Sequence, residues 1–180
     1  MVSFMQQHSA LNFIAMEDTR WKKFKLCGDY NVDLRSLYLA WSTPAGLEKW
    51  FLRKADFYTV PQRLRANDEQ IAKEDTYTWY WHGHHNDIFE KGRILEANGQ
   101  DLLKFSFTGG SIVTVSFSTR NGLTIIDLEQ TDIPQENDPA KNLLVQCQIG
   151  WTFYLANLKS VMEGGKDLRN KRVELNSCFK

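Results

Sequence analysis

One long apolar helix, placed directly after a run of period-two strands, constrains this sequence more than any other feature. Asp138-Pro139 reads as a helix cap followed by a proline at the first helical position, and Gly164-Gly165 reads as the stop. The interval is about twenty-five residues, or roughly 37 Å at 1.5 Å per residue. Within it Leu144, Trp151, Leu155, Leu158 and Met162 form one stripe, widened by Tyr154 and Val161. The segment is too punctuated by polar residues to span a membrane and too aromatic for an ordinary surface helix. Something broad and apolar must cover it.

The preceding residues supply that cover. In "TYTWYWH", Tyr77, Trp79 and Trp81 share one face, and Thr78, Tyr80 and His82 share the other. "DIFEKGRILEANG", "DLLKFSFTGG", "SIVTVSFS" and "LTIIDLEQTDI" follow, punctuated by Asn-Gly or Gly-Gly, which predicts an antiparallel meander. Leu103, Phe105 and Phe107 alternate with Lys104 and Ser106, and Val113, Val115 and Phe117 alternate with Thr114 and Ser116, so one face is buried and one is wet. Further upstream, "RWKKFKLCGDYNV" and "ADFYTV" read as strands. Between them, Asp33 and Thr43 cap two short helices joined at a corner, the second with Pro44 at its first position. The polar stretch from Pro61 to Asp75 reads as a surface excursion with at most one strand. Strand, two short helices, several strands and a long helix make an α+β architecture.

Charge and cysteines limit the function classes. Twenty-two basic residues balance twenty-two acidic ones, so the electrostatic footprint of a nucleic-acid binder is absent. Three distant cysteines, Cys27, Cys147 and Cys178, with no CxxC pair, fit reduced thiols and a cytoplasmic location. No run reads as a signal peptide or a membrane insertion. The expected organisation is a leader over residues 1–19, a short helix or loose arm around Leu11, Phe13, Ile14 and Met16. One domain follows over 20–170, and a tail over 171–180.

Three stretches also resemble a known family. "LYLAWSTPAGLEKWF" is similar to the helix-turn-helix opening of the activator of heat-shock protein ninety ATPase homologue family, within the START-like (SRPBCC) superfamily. "EKGRILEANGQDLLKFSF" resembles that family's central hairpin, and "GWTFYLANLKSVMEGGKDLR" its C-terminal helix with a Gly-Trp pair and a closing glycine pair. The matches run in order from about Trp21 to Arg169. The resemblance implies a helix-grip fold, in which a curved antiparallel sheet wraps around the long C-terminal helix, with two short helices after the first strand. It also implies a cavity for hydrophobic ligands and, through the family's namesake, a chaperone as a second kind of partner.

On that reading a small apolar ligand sits between sheet and helix. Trp41, Trp50 and Phe51 would line it from the helical corner, and Trp79, Trp81, Phe105, Phe107, Val115 and Phe117 from the sheet. Trp151, Tyr154, Leu155 and Leu158 would line it from the long helix, with Tyr154 and Gln130 as polar handles. Large aromatics predict a small pocket, and filling of the core by the same rings is the competing expectation.

Catalysis has little support. No GxSxG, HExxH or CxxC is present, and Cys147 reads as a small core hydrophobe. "HGHHND", His82 to Asp87, reads as a polar hairpin tip and not as a metal site, and "GGKDLRN" as a helix stop and not as a phosphate loop. No cofactor, metal or catalytic residue is expected. The leading expectation is a non-enzymatic binding domain. The alternatives are a chaperone-associated interaction module and a cyclase- or hydrolase-type enzyme drawing on Tyr77, Gln130 and Tyr154. Glu90 and Glu96 lie on a strand whose facing the pattern does not settle.

Overall fold

The computed structural model describes residues 22–135 and 141–172. The elements, in chain order, are β1 (Phe24–Tyr30), α1 (Leu34–Ser42), α2 (Pro44–Trp50), β2 (Lys54–Tyr58), β3 (Thr76–Tyr80) and β4 (Phe89–Ala97). β5 (Leu102–Ser106), β6 (Ile112–Arg120), β7 (Leu123–Thr131) and α3 (Leu143–Met162) complete the fold. The strands form one antiparallel sheet in the order β1-β7-β6-β5-β4-β3-β2.

Local chemistry sets the helical corner. The Asp33 carboxylate accepts the Ser36 N–H at 2.8 Å and caps α1. Thr43 serves both helices: its Oγ1 donates to the Leu39 carbonyl at 2.9 Å and accepts from the Gly46 N–H at 3.0 Å. The turn is so tight that a Cβ on Gly46 would lie 2.3 Å from the Leu39 carbonyl oxygen. The segment from Thr59 to Asp75 runs outside the sheet with a single bridge, Tyr58 to Leu64. It is pinned by the buried Asp75, which receives the Arg65 guanidinium.

Strand alternation reads directly into burial. Val113, Val115 and Phe117 of β6 and Ile126, Leu128 and Gln130 of β7 face the core, while Thr114 and Ser116 face outward. β4 behaves differently. Its first half pairs with β3 and its second half with β5, and the register slips between Ile94 and Glu96. Such a slip bends the strand, and beyond Phe105 the β4–β5 ladder ends.

α3 begins at Leu143, where the Asn142 side chain accepts the Val145 N–H at 3.2 Å, and spans 20 residues. It is shorter than the Asp138–Gly164 interval suggests; Asp138 and Pro139 lie outside the described residues, as do the leader and the end of the tail. Among the described residues no helix is long and apolar enough to cross a membrane.

Candidate functional site

Most of the space between sheet and helix is filled by rings. Trp41 lies against Trp50 at 4.6 Å between centroids, and Phe51 stacks on Trp151 at 5.1 Å. Tyr77 stacks on Trp79 at 3.9 Å, and Trp79 meets Phe105 edge-on at 5.3 Å. Trp41, Trp50, Trp79, Phe105, Val115, Phe117, Leu155 and Leu158 are all buried in this packing. Their apolar area contributes about 1.5–3 kcal/mol per side chain to the fold.

A cleft of about 280 Å³ lies at the edge of the cluster, where β4 and β5 part. Phe51, Trp81, Phe107, Trp151 and Tyr154 line it, together with Glu90, Thr108, Leu143, Gln146, Cys147 and Gly150. The structure therefore gathers five of the expected lining residues and places the other nine in the packed core. The volume lies just below the roughly 300–1,000 Å³ range of small-molecule sites.

The two expected polar handles differ. Gln130 is fully buried and its amide is engaged: Trp151 Nε1 donates to Oε1 at 3.0 Å, and Nε2 donates to Ser111 Oγ at 2.8 Å. Ser111 Oγ donates onward to the Thr108 carbonyl at 2.8 Å. This chain ties α3 to β7 and to the turn at Thr108, so Gln130 holds the wall of the cleft in place without lining it. Tyr154 lines the cleft, half-buried, and its hydroxyl has no hydrogen-bond partner among the described residues. Burial raises its pKa. Tyr77 is also spoken for: its hydroxyl passes over Gly92 and donates to the Ser106 carbonyl at 2.6 Å.

Glu90 is the lining residue that sequence reasoning left unplaced. It stands directly opposite Trp79 across the β3–β4 ladder, and directly opposed residues share a face, so its carboxyl points inward. Burial raises its pKa, partly offset by a hydrogen bond from the Thr108 hydroxyl. Cys147, across the cleft, is likewise raised by burial, which keeps it a neutral thiol and a poor nucleophile. The lining contains no histidine, lysine or arginine. His82 stands outside it, its pKa lowered by burial and by Arg169, and no metal-binding group of His, Cys, Asp or Glu occurs among the described residues.

Gly150 completes the site. It lies within α3, and a Cβ built on it would meet nothing within 4 Å. A glycine inside a helix costs about 0.5–1 kcal/mol relative to alanine, and no tight packing here requires one. The room it leaves is part of the cleft.

A curved antiparallel sheet closed over a C-terminal helix, with a cleft at their junction, defines a START-like helix-grip domain. The chain belongs to the family described as Activator of Hsp90 ATPase homolog 1-like protein, whose model matches residues 31–163. Among solved structures it is similar to a structural-genomics protein from Staphylococcus saprophyticus, with a TM-score of 0.62 and 16% identity, covering 82% of this chain and 96% of that one. The Aha1 dimer from Colwellia psychrerythraea matches with a TM-score of 0.61 and 14% identity over 80% of this chain and 98% of that one. An HSP90 activator from Plasmodium falciparum matches at 0.57 and 17% identity over 79% and 96%. A search of curated proteins found no sequence match to the chain.

Proposed function

We propose that the protein is a non-enzymatic binding domain that takes one small, largely apolar molecule into the cleft beside Trp151. The observation that carries this reading is Gly150: a residue that weakens its own helix, lines the cleft and leaves open space where a Cβ would stand. Aromatic walls with a few polar groups are the usual composition of a small-molecule site. Burial raises the pKa of the Cys147 thiol, the one cysteine in the lining, and so keeps it un-ionised rather than activated.

The test is native mass spectrometry of gently purified protein beside a Gly150→Leu variant, whose side chain would occupy the cleft. A stoichiometric small molecule released from the parent and missing from the folded variant is the expected result. An empty parent that shows no thermal shift with a panel of small apolar compounds would overturn the reading.

A second reading, a chaperone-associated module, has one observation of its own. Val145, Ile149 and Phe153, spaced four apart on the outer side of α3, are exposed, Ile149 by 66%. The HSP90 activator among the similar structures gives that stripe a candidate partner class. Ile149→Glu should abolish stimulation of an Hsp90-type ATPase while leaving cleft binding intact, and no stimulation by the parent protein would rule this reading out.

A further inference from the structure

The cleft has a charge problem that an apolar ligand does not solve. Glu90 is the one carboxyl in its lining, and no salt bridge to it occurs among the described residues. The ionisable groups that feel its charge are Tyr77 on β3 and Cys147 on α3, both acids that add only negative charge if they ionise. The neighbouring Lys91 lies one residue along the strand, on the opposite face, with its ammonium 5.0 Å from the Phe89 ring. A neutral apolar guest would strip water from this half-buried carboxylate and leave it only the Thr108 hydroxyl, which is costly for a charge taken out of water.

The walls favour one kind of guest. Phe51, Trp81, Phe107, Trp151 and Tyr154 line the same cleft as the carboxyl, and aromatic faces attract cations most strongly where water is excluded. The Tyr154 hydroxyl, without a hydrogen-bond partner among the described residues, can accept a hydrogen bond from an N–H donor. We propose that the cleft selects a small organic amine, bound as its ammonium cation with the charged head at Glu90 and the apolar body against the aromatic walls. The inference rests on the cleft being the binding site and adds the charge of its ligand.

Calorimetric titration of the full chain with 2-phenylethylamine and with 2-phenylethanol, its neutral near-isostere, tests this at pH 7. The amine should bind at least about tenfold tighter, the equivalent of about 1.4 kcal/mol. Glu90→Gln should remove the preference and leave alcohol binding within about twofold, with a melting curve establishing that the variant folds. Equal binding of amine and alcohol to the parent overturns the inference while leaving the cleft as an apolar site. A preference that survives Glu90→Gln overturns it as well. Binding of neither compound overturns both the inference and the reading on which it rests. If Glu90→Gln does not fold, the comparison on the parent protein decides alone.

Discussion

Arg169 offers a quantitative test of how the long helix is held. Its side chain is 3% exposed and closes the strap that follows α3. Nη1 donates to the Leu52 carbonyl at 2.9 Å, and Nη2 donates to the carbonyls of Lys49 at 2.7 Å and Glu48 at 3.0 Å, at the end of α2. Nε and Nη2 hold the Asp167 carboxylate at 2.9 and 2.6 Å. Arg169→Ala leaves that carboxylate without its main partner and uncaps α2. Removing one member of a buried pair costs about 3–5 kcal/mol, and admission of water to the freed carbonyls favours the lower end. With an unfolding slope of about 2 kcal/mol per molar urea, a loss of about 3 kcal/mol lowers the midpoint by about 1.5 M. Urea titration followed by tryptophan fluorescence measures it. The pH dependence supplies a second arm. Burial alone would raise the Asp167 pKa, but hydrogen bonds from Arg169 and Lys171 outweigh it and hold the group below the usual carboxylate range. A depressed acid contributes stability that is fully present above about pH 3.9 and is lost as pH falls below that value. The gap between parent and variant should therefore narrow between pH 4 and pH 2. A loss under about 1 kcal/mol at pH 7, the size of an exposed ion pair, would refute the reasoning, as would a gap constant down to pH 2.

Gly150→Ala should raise stability by about 0.5–1 kcal/mol, seen as a rise of about 1–4 °C in Tm, because it restores helix propensity without a clash. A fall in Tm would mean that the helix is packed at that point. Gln130→Leu should destabilise by about 1–3 kcal/mol, since it orphans the Trp151 N–H, and should weaken 2-phenylethylamine binding as the Trp151 wall loses its anchor. Unchanged urea stability with lost binding would instead make Gln130 a ligand contact.

The strands and the helical corner were legible because each has a strong local signal: period-two alternation in β6 and β7, and Asp33, Thr43 and Pro44 at the turns. Inward-facing Gln130 followed from the same parity. The start of α3 did not follow, because Asp138 and Asn142 are both good caps and no apolar residue between Pro139 and Asn142, beyond Ala140, sets the helical phase. Glu90 escaped because Gly92 interrupts the alternation of its strand and the register slip after Ile94 shifts the phase beyond it. Asn157 escaped for another reason. A lone asparagine on a helix reads as a surface residue, yet this one is fully buried, donating to the Trp50 carbonyl at 2.6 Å and accepting from the Leu168 N–H at 2.6 Å. Whether fourteen apolar and amide positions enclose a large cavity, a small one or none depends on how ring volumes interlock, which no periodicity encodes.

These polar ties divide α3 into two halves with different duties. From Leu155 onward the helix is fastened on several sides: the Tyr30 hydroxyl donates to the Leu155 carbonyl at 3.3 Å, Asn157 bonds to Trp50 and to the strap, and Lys159 bonds to Asp29 at 2.8 Å. The residues from Leu143 to Gly150 line the cleft on one side and expose Val145 and Ile149 on the other. Gly150 falls just before Trp151, whose indole is anchored to Gln130. The conformationally freest residue therefore sits where the fastened half ends. A wall built this way keeps its far end tied by several hydrogen bonds, while its near end is held by the buried Leu144 and Cys147 and the partly buried Leu143.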